Sequence, residues 1–159
     1  MKTIFVVSDT HGNTAALRFV KEVMAESDVI VHLGDCARDI ADVKAQYPAK
    51  VISVRGNCDG DTKGDAAMFT AEGLKILAVH GHCFGVKEGL NRLYYFAREK
   101  GADVVLYGHT HRACVTEEGG ILFVNCGSMA RFEREKSYAY LVLHEKKKVA
   151  RIVKIKEKV

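Results

Sequence analysis

Polar side chains follow five separate apolar runs of the sequence, at the points where these runs end in turns that contain glycine. All of them carry oxygen or nitrogen donors, which suit Mn²⁺, Fe²⁺, Zn²⁺, Co²⁺ or Ni²⁺ better than Ca²⁺, an ion that prefers oxygen alone. The set is too large for one tetrahedral ion, but it fits two ions that share a ligand. The predicted ligands are Asp9, His11, Asp35, Asn57, His80, His109 and His111.

Two features of this set indicate how it could hold two ions. Asp9 and His11 are two residues apart, so in an extended chain they face the same way and can bind one ion together. A carboxylate can bridge two ions, whereas an amide or a neutral imidazole normally cannot. Asp35 stands alone at the end of the second apolar run, and we therefore predict that it is the bridging ligand.

The charge of such a centre indicates the reaction that it supports. Two divalent ions carry four positive charges, of which Asp9, Asp35 and a bound hydroxide offset three, while the imidazoles and Asn57 are neutral. A small positive charge and open coordination positions attract an anion such as a phosphate ester. Ions about 3.5–4 Å apart can hold a bridging hydroxide, which then attacks phosphorus in line. The residues therefore predict a di-metal phosphoesterase.

The elements that must position these residues alternate between strands and helices in the first two-thirds of the chain. Apolar, β-branched runs predict strands, and segments with helical periodicity predict the helices between them. Asn13 is a suitable N-cap for the first helix, and Gly101 a suitable end for the last one. The predicted strands are residues 2–8, 29–33, 51–55, 74–79 and 103–107, and the predicted helices are residues 14–25, 39–46 and 86–100, with a loop at 60–65.

The last third of the sequence predicts antiparallel strands instead. Residues 112–116 and 121–125 flank a turn with two glycines, and residues 137–143 and 149–156 flank a second turn, so we predict two β-hairpins. Because strands and helices of both parts need burial, we expect an α/β (α+β) fold with two packed sheets and helices on the outside. Ligands of such sheets gather beyond the carboxyl ends of the strands, where the five polar turns lie.

Composition and charge exclude several classes of protein. The chain has 159 residues, which suits one domain, and we predict a single domain over residues 1–159. The formal net charge of +4 is too small to indicate a nucleic-acid-binding protein, and the five cysteines lack the spacing of a zinc knuckle or a disulfide framework. No apolar run reaches the ~18 residues of a membrane span, and the first apolar run is too short for a signal peptide. We therefore expect a cytoplasmic protein without a membrane partner.

The five turns read Asp-x-His, Gly-Asp, Gly-Asn-x-Asp, His-Gly-His and Gly-His-x-His, in this order. Each motif alone is commonplace, but their order resembles that of the calcineurin-like metallophosphoesterases, and within them the small prokaryotic phosphodiesterases of the YfcE type. The resemblance extends from Asp9 to His111 and continues weakly through residues 125–128. It implies a four-layer αββα sandwich of two mixed β-sheets flanked by helices. It also implies two divalent ions, most commonly Mn²⁺, with Ni²⁺, Zn²⁺ or Fe²⁺ as alternatives.

The same resemblance implies how the ligands divide between the two ions. One ion is held by Asp9, His11, Asp35 and His111, and the other by Asp35, Asn57, His80 and His109. The residues that we predict to act on the reacting phosphate are Asp35, Asn57, His80, Cys58 and His82.

The sequence departs from the wider family at Cys58. Many members have a histidine there, which donates to the phosphate or to the leaving group. A thiol with a pKa of about 8.5 is a weaker proton donor, which leaves the general acid open and favours esters whose leaving group needs little protonation. His82 either contacts the substrate or fills its turn, and Cys126 stands where many members have proline.

Other polar residues have a structural interpretation. His32 lies inside the second predicted strand, and we expect it in the core. Asp59 either caps the turn after the third strand or orients Asn57. Arg131 and Arg134 are expected to be solvated, with contact to a substrate phosphate as the alternative.

Taken together, the residues and the resemblance predict a metal-dependent phosphoric ester hydrolase for small or activated phosphodiesters, with a small phosphate ester as its partner. One alternative is a non-catalytic protein-interaction scaffold of the same fold, in which ligand residues have been lost, whereas all of them are present here. The other is a nuclease, against which the modest charge and the lack of a basic stripe interleaved with aromatic residues argue. A homo-oligomer stays possible.

Overall fold

The computed structural model describes residues 1–60 and 65–156. The strands are β1 (Lys2–Val7), β2 (Val29–His32), β3 (Val51–Ser53), β4 (Ala66–Ala71), β5 (Leu74–Val79), β6 (Val104–Tyr107), β7 (Cys114–Glu118), β8 (Ile121–Asn125), β9 (Lys136–His144) and β10 (Lys147–Ile155). The helices are α1 (Thr14–Phe19), α2 (Lys21–Glu26), α3 (Ala41–Gln46) and α4 (Asn91–Lys100), and 3₁₀ turns occupy Ala37–Ile40, Asn57–Asp59 and His82–Phe84.

The strands of the described residues form two five-stranded mixed sheets. The first has the order β10-β9-β1-β2-β3, in which β1, β2 and β3 are parallel and β9 is antiparallel to both of its neighbours. The second has the order β4-β5-β6-β8-β7, with β5, β6 and β8 parallel and β4 and β7 antiparallel at its edges. The parallel strands of each sheet deliver their carboxyl ends to one edge, where the polar turns begin.

The two sheets pack face to face, and helices cover their outer faces. Ile4 of β1 shares a buried cluster with Ile76 of the second sheet, whereas the next residue, Phe5, packs with Leu17 of α1. On the far side of the second sheet, Leu93 of α4 closes a third cluster. β1 is therefore buried on both faces, which explains its continuous apolar sequence. The predicted four-layer αββα arrangement is confirmed.

The first and the last predicted helices differ from the observed ones. Asn13 caps the first helix as predicted, because its side chain accepts a hydrogen bond from the Ala16 amide at 3.3 Å. That helix breaks at Val20, whose φ of −103° and ψ of 13° leave the helical region, so that α1 and α2 replace one longer helix. The last helix begins at Asn91 rather than at residue 86, because Gly89 has a φ of 155°, which no helix can include.

The remaining predictions were mostly correct. The predicted helix at residues 39–46 starts instead as the 3₁₀ turn Ala37–Ile40 and continues as α3. Both hairpins are present, although β7 begins two residues later than predicted. Strand β4 was not predicted, because its alanine-rich sequence carries little of the β-branched signal. Most of the predicted loop at 60–65 lies outside the described residues. No helix in the described part of the chain has the length and apolarity required to cross a bilayer.

Candidate metal centre

Six of the seven predicted ligands lie close together at the edge where the two sheets face each other. Asp9 and Asp35 follow β1 and β2 of the first sheet, whereas His80 and His109 follow β5 and β6 of the second. Backbone hydrogen bonds tie these turns together within each sheet, from the Asp9 amide to the Gly34 carbonyl and from the Gly108 amide to the His80 carbonyl, both at 2.9 Å. The site therefore depends on the packing of both sheets.

The first cluster contains Asp9, His11 and His111, whose ligand atoms all lie within 4.8 Å of one another. His111 Nε2 lies 3.1 Å from Asp9 Oδ1, and His11 Nε2 lies 3.9 Å from the same oxygen. His11 Nε2 is buried and has no hydrogen-bond partner among the described residues. Donors that bind one ion at about 2.1 Å lie roughly 3–3.5 Å apart, so these atoms have the spacing of a metal site.

The second cluster contains Asp35, His80 and His109, again within 4.8 Å. His80 Nε2 lies 3.5 Å from Asp35 Oδ2 and 3.2 Å from His109 Nδ1. The Nδ1–H of His80 donates to the Leu33 carbonyl at 2.8 Å, which leaves Nε2 to face the site. Asp35 Oδ2 also lies 3.7 Å from His11 Nε2, so this carboxylate stands between the two clusters, where a bridging ligand has to be.

The backbone of these turns has an unusual conformation. Positive φ angles are uncommon for residues other than glycine, and they concentrate at functional sites. Five predicted ligands have such angles: Asp9 (52°), His11 (45°), Asp35 (58°), His109 (71°) and His111 (60°).

The electrostatics of the site favour a bound cation. Burial opposes ionisation of Asp35, but hydrogen bonds from His80 and from the Cys58 amide outweigh it and lower the pKa of the carboxyl. A hydrogen bond to Asp9, supported by Glu133 and opposed by burial, raises the pKa of His111 to about 9. The pKa of His80 is also raised, because the carboxylates of Asp35 and Asp9 outweigh its burial. Positive charge is therefore stabilised between these side chains, and the donor set fits divalent ions of borderline hardness.

A series of hydrogen-bonded side chains holds the turn that carries Asp9 and His11 in place. Gly34 N–H donates to His32 Nδ1 at 3.1 Å, so His32 Nε2–H donates to the Thr10 hydroxyl at 3.0 Å. That hydroxyl donates in turn to Asp39 at 2.6 Å. His32 is fully buried, as predicted, and its burial lowers its pKa to about 4.

Asp59 joins the turns after β2 and β3. Its carboxylate accepts hydrogen bonds from the amides of Gly56 and Asp35, both at 2.8 Å, and from the Ala37 amide at 3.0 Å. Of the two predicted roles, the structure therefore places Asp59 as a cap. The Cys58 amide donates to Asp35 Oδ1 at 2.9 Å, which holds the central carboxylate against the same turn.

Glu133 is a site residue that sequence reasoning missed. Its carboxylate accepts a hydrogen bond from His111 Nδ1 at 2.6 Å, which leaves His111 Nε2 free to face Asp9. A histidine that binds a metal ion through one ring nitrogen commonly donates its other N–H to a carboxylate. These two residues are 22 positions apart, and no sequence signal connects them.

The other predicted residues differ in how closely they join the site. The thiol of Cys58 lies within 4.8 Å of ligand atoms of His11 and Asp35. Burial together with the Asp35 carboxylate raises the pKa of this thiol to about 11. The ring of His82 lies 5.3 Å from that of His80, and neither of its nitrogens has a hydrogen-bond partner among the described residues. Asn57 is exposed, and its amide donates to the Cys58 sulfur at 3.7 Å rather than to another predicted ligand.

Comparison with known proteins identifies relatives along most of the chain. The chain is 40% identical to the probable metallophosphoesterase YsnB of Bacillus subtilis over 147 residues, which cover 88% of this chain and 83% of YsnB. It is 32% identical to the phosphodiesterase YfcE of Escherichia coli K12 over 155 residues, which cover 82% of this chain and 80% of YfcE.

Solved structures agree with this relationship. A Streptococcus pneumoniae TIGR4 protein described as a predicted phosphoesterase superposes with a TM-score of 0.76 at 27% identity, over 96% of this chain and 89% of its own. Vps29 of Entamoeba histolytica complexed with Zn²⁺ superposes with a TM-score of 0.75 over 96% of this chain and 98% of its own, but at 19% identity this likeness shows the fold alone. A calcineurin-like phosphoesterase superfamily domain is recognised over residues 1–148. The chain therefore belongs to the calcineurin-like phosphoesterase superfamily.

Proposed function

We propose that this protein is a phosphodiesterase that uses two divalent ions, with Mn²⁺ as the first candidate. The observation that carries the proposal is the pair of donor clusters on either side of Asp35, one with Asp9, His11 and His111 and the other with His80 and His109. The relatives support the reaction class, since YfcE is named a phosphodiesterase. Asn57 is proposed as a further ligand from its place in the motif, because its amide can turn towards the site from an exposed position.

The two ions, when bound, supply an activated water and offset the charge of the phosphate oxygens. The protein contributes the fixed geometry that this chemistry requires. Asp35 stays ionised and is held by the amide of Cys58, while the carbonyl of Leu33 orients the His80 ring. Asp9 is held by the His109 amide at 3.1 Å and by the Ser8 hydroxyl. These carboxylates and imidazoles are thus aligned before any substrate arrives.

Cys58 and His82 are the residues that we propose next to the leaving group. The Cys58 thiol stays protonated at neutral pH because its pKa is raised to about 11, so it can donate a hydrogen bond but is a poor general acid. The nitrogens of His82 are buried beside His80 and have no hydrogen-bond partner among the described residues, so a rotation of this ring would bring a second hydrogen-bonding group to an ester oxygen. A site of this kind favours diesters whose leaving group needs little protonation.

The proposal is tested by hydrolysis of bis(p-nitrophenyl) phosphate and p-nitrophenyl phosphate by protein loaded with Mn²⁺. We expect faster cleavage of the diester, and loss of this activity in Asp35→Asn and His109→Ala. His144→Ala is the matched control, because this histidine is exposed and pairs only with Glu145 among the described residues.

If the loaded protein cleaves neither ester, or if Asp35→Asn is as active as the wild type, the proposal fails. Stoichiometric capture of one protein partner by a protein that binds no metal would instead favour an interaction scaffold. Metal analysis of protein purified without chelator identifies the native ion.

A further inference from the structure

A pocket of about 610 Å³ opens directly beside the first donor cluster. His111 belongs to both, since its ring lines the pocket and its Nε2 faces Asp9. An ester arm that leaves the reacting phosphorus on this side would therefore enter the pocket. The inference below rests on the proposed function, because it concerns the substrate of the same site.

An exposed aromatic ring lines this pocket. Phe132 is 70% exposed, although its ring lies 5.9 Å from that of His111 with 23° between the planes and 5.8 Å from that of His11. The residue thus covers one side of the ligand histidines and leaves most of its own surface to solvent. A large apolar side chain in this position offers a flat ring of a substrate a surface on which to stack.

The pocket is lined by side chains of both charges, and two of its cations have no ion-pair partner among the described residues. Glu133 is bonded to His111, and Glu135 pairs with Lys154 at 3.0 Å, so both carboxylates of the pocket wall are engaged. Arg112 and Arg134 also line the pocket, and among the described residues neither guanidinium has an ion-pair partner. Two such guanidiniums suit a second phosphate, which they can bind through two hydrogen bonds each.

We propose that this pocket binds one arm of the phosphodiester, and that the preferred arm is a nucleoside with a second phosphate. The base stacks on Phe132, and Arg112 and Arg134 bind the distal phosphate. The substrate class is therefore that of short nucleotide diesters, and the pocket is the part of the site that selects them over simple alkyl diesters.

Three p-nitrophenyl diesters test this inference. In each of them water attacks the diester phosphorus and the P–O bond to p-nitrophenolate breaks, so the three differ only in their other arm. Their other arms are methyl, thymidine linked through its 5′ oxygen, and thymidine that also carries a 3′-phosphate. We expect kcat/KM to rise along this series. Phe132→Leu should lower the value for both thymidine esters about 10-fold, as the loss of one base–aromatic stack does, and leave the methyl ester unchanged.

The distal phosphate is tested by Arg112→Gln and Arg134→Gln. Each should reduce only the gain from the 3′-phosphate, by about 3-fold at low salt, and this loss should shrink as salt screens the charge. Phe19→Leu and Arg151→Gln are the matched controls, since Phe19 is 63% exposed but lines another pocket and Arg151 is exposed on β10. A binding measurement with thymidine 3′,5′-bisphosphate and metal-free protein should show the same order of variants.

Equal kcat/KM for all three esters would overturn the inference while leaving the proposed function intact. A loss in Phe132→Leu that is equal for the methyl and thymidine esters would overturn it too, because the ring would then only support His111. Failure to cleave any of the three esters would instead refute the proposed function.

Discussion

Glu133→Gln isolates the contribution of a residue that binds no ion itself. The wild-type carboxylate accepts the Nδ1–H of His111 at 2.6 Å and so fixes the tautomer whose Nε2 can bind an ion. Glutamine has nearly the same size but no charge, and its amide N–H can face Nδ1, which permits the wrong tautomer. Loss of such partners lowers metal affinity about 10- to 100-fold. The Glu133 side chain is 24% exposed, so water weakens the bond, and we expect a loss of about 10-fold.

Only one of the two ions should be affected. His80 of the second cluster is oriented by the Leu33 carbonyl, which this substitution leaves in place. Calorimetric titration of metal-free protein with Mn²⁺ resolves the two binding steps, of which one should weaken and one should keep its wild-type affinity. The matched control is Glu135→Gln, two residues further on, which removes a surface ion pair with Lys154. Wild-type affinity in both steps, or equal weakening of both, would refute the reasoning.

Three further predictions follow from the site. The folded-state pKa of His32 is about 4, below the 6.5 of an unperturbed histidine. The metal-free protein should therefore lose about 3 kcal/mol of stability as the pH falls from 6.5 to 4. In urea denaturation, the free energy of unfolding of His32→Gln should depend less steeply on pH, and the same dependence as in the wild type would contradict this. Gly56→Ala would push a methyl group against Asp35 and the His80 ring and should abolish binding of both ions in metal analysis, whereas Gly120→Ala, which meets open space, should retain them. Mn²⁺ at 100 times its Kd should raise the free energy of unfolding by about 2.7 kcal/mol for each site that it fills, and an unchanged unfolding midpoint would exclude a metal site of the folded state.

The sequence predicted the strands of the site because their physical signal is local. β1 and β6 are buried on both faces and therefore read as continuous apolar runs that end abruptly in polar residues. The order of these turns also predicted which side chains should meet, since parallel strands present their carboxyl ends at one edge. The convergence of Asp9, Asp35 and His80 could thus be predicted without knowledge of the packing that brings them together.

The supporting residues could not be predicted, because their partners are remote in the chain. Glu133 reaches His111 from an irregular segment 22 residues away, and Asp39 reaches Thr10 across 29 residues. No periodicity connects such pairs. Asp59 was ambiguous for a related reason, since a carboxylate near a turn can cap the backbone or orient a neighbouring side chain such as Asn57. Here it caps both its own turn and the turn after β2. Asn57 stays a prediction, because its place among the ligands depends on a side-chain orientation that the exposed position leaves open.

The backbone of the site bears on the choice between the proposed hydrolase and an interaction scaffold of the same fold. The predicted ligands Asp9, His11, Asp35, His109 and His111 all have positive φ angles. Such a conformation costs a residue other than glycine roughly 1 kcal/mol, so the five together cost on the order of 5 kcal/mol, comparable to the lower end of the total stability of a domain. Glycine at these positions would relieve the strain without disturbing the sheets. A scaffold would gain from that exchange, whereas a centre that binds ions would lose the carboxylates and imidazoles it needs. The presence of aspartate and histidine at all five positions therefore favours metal-dependent chemistry over a purely structural role.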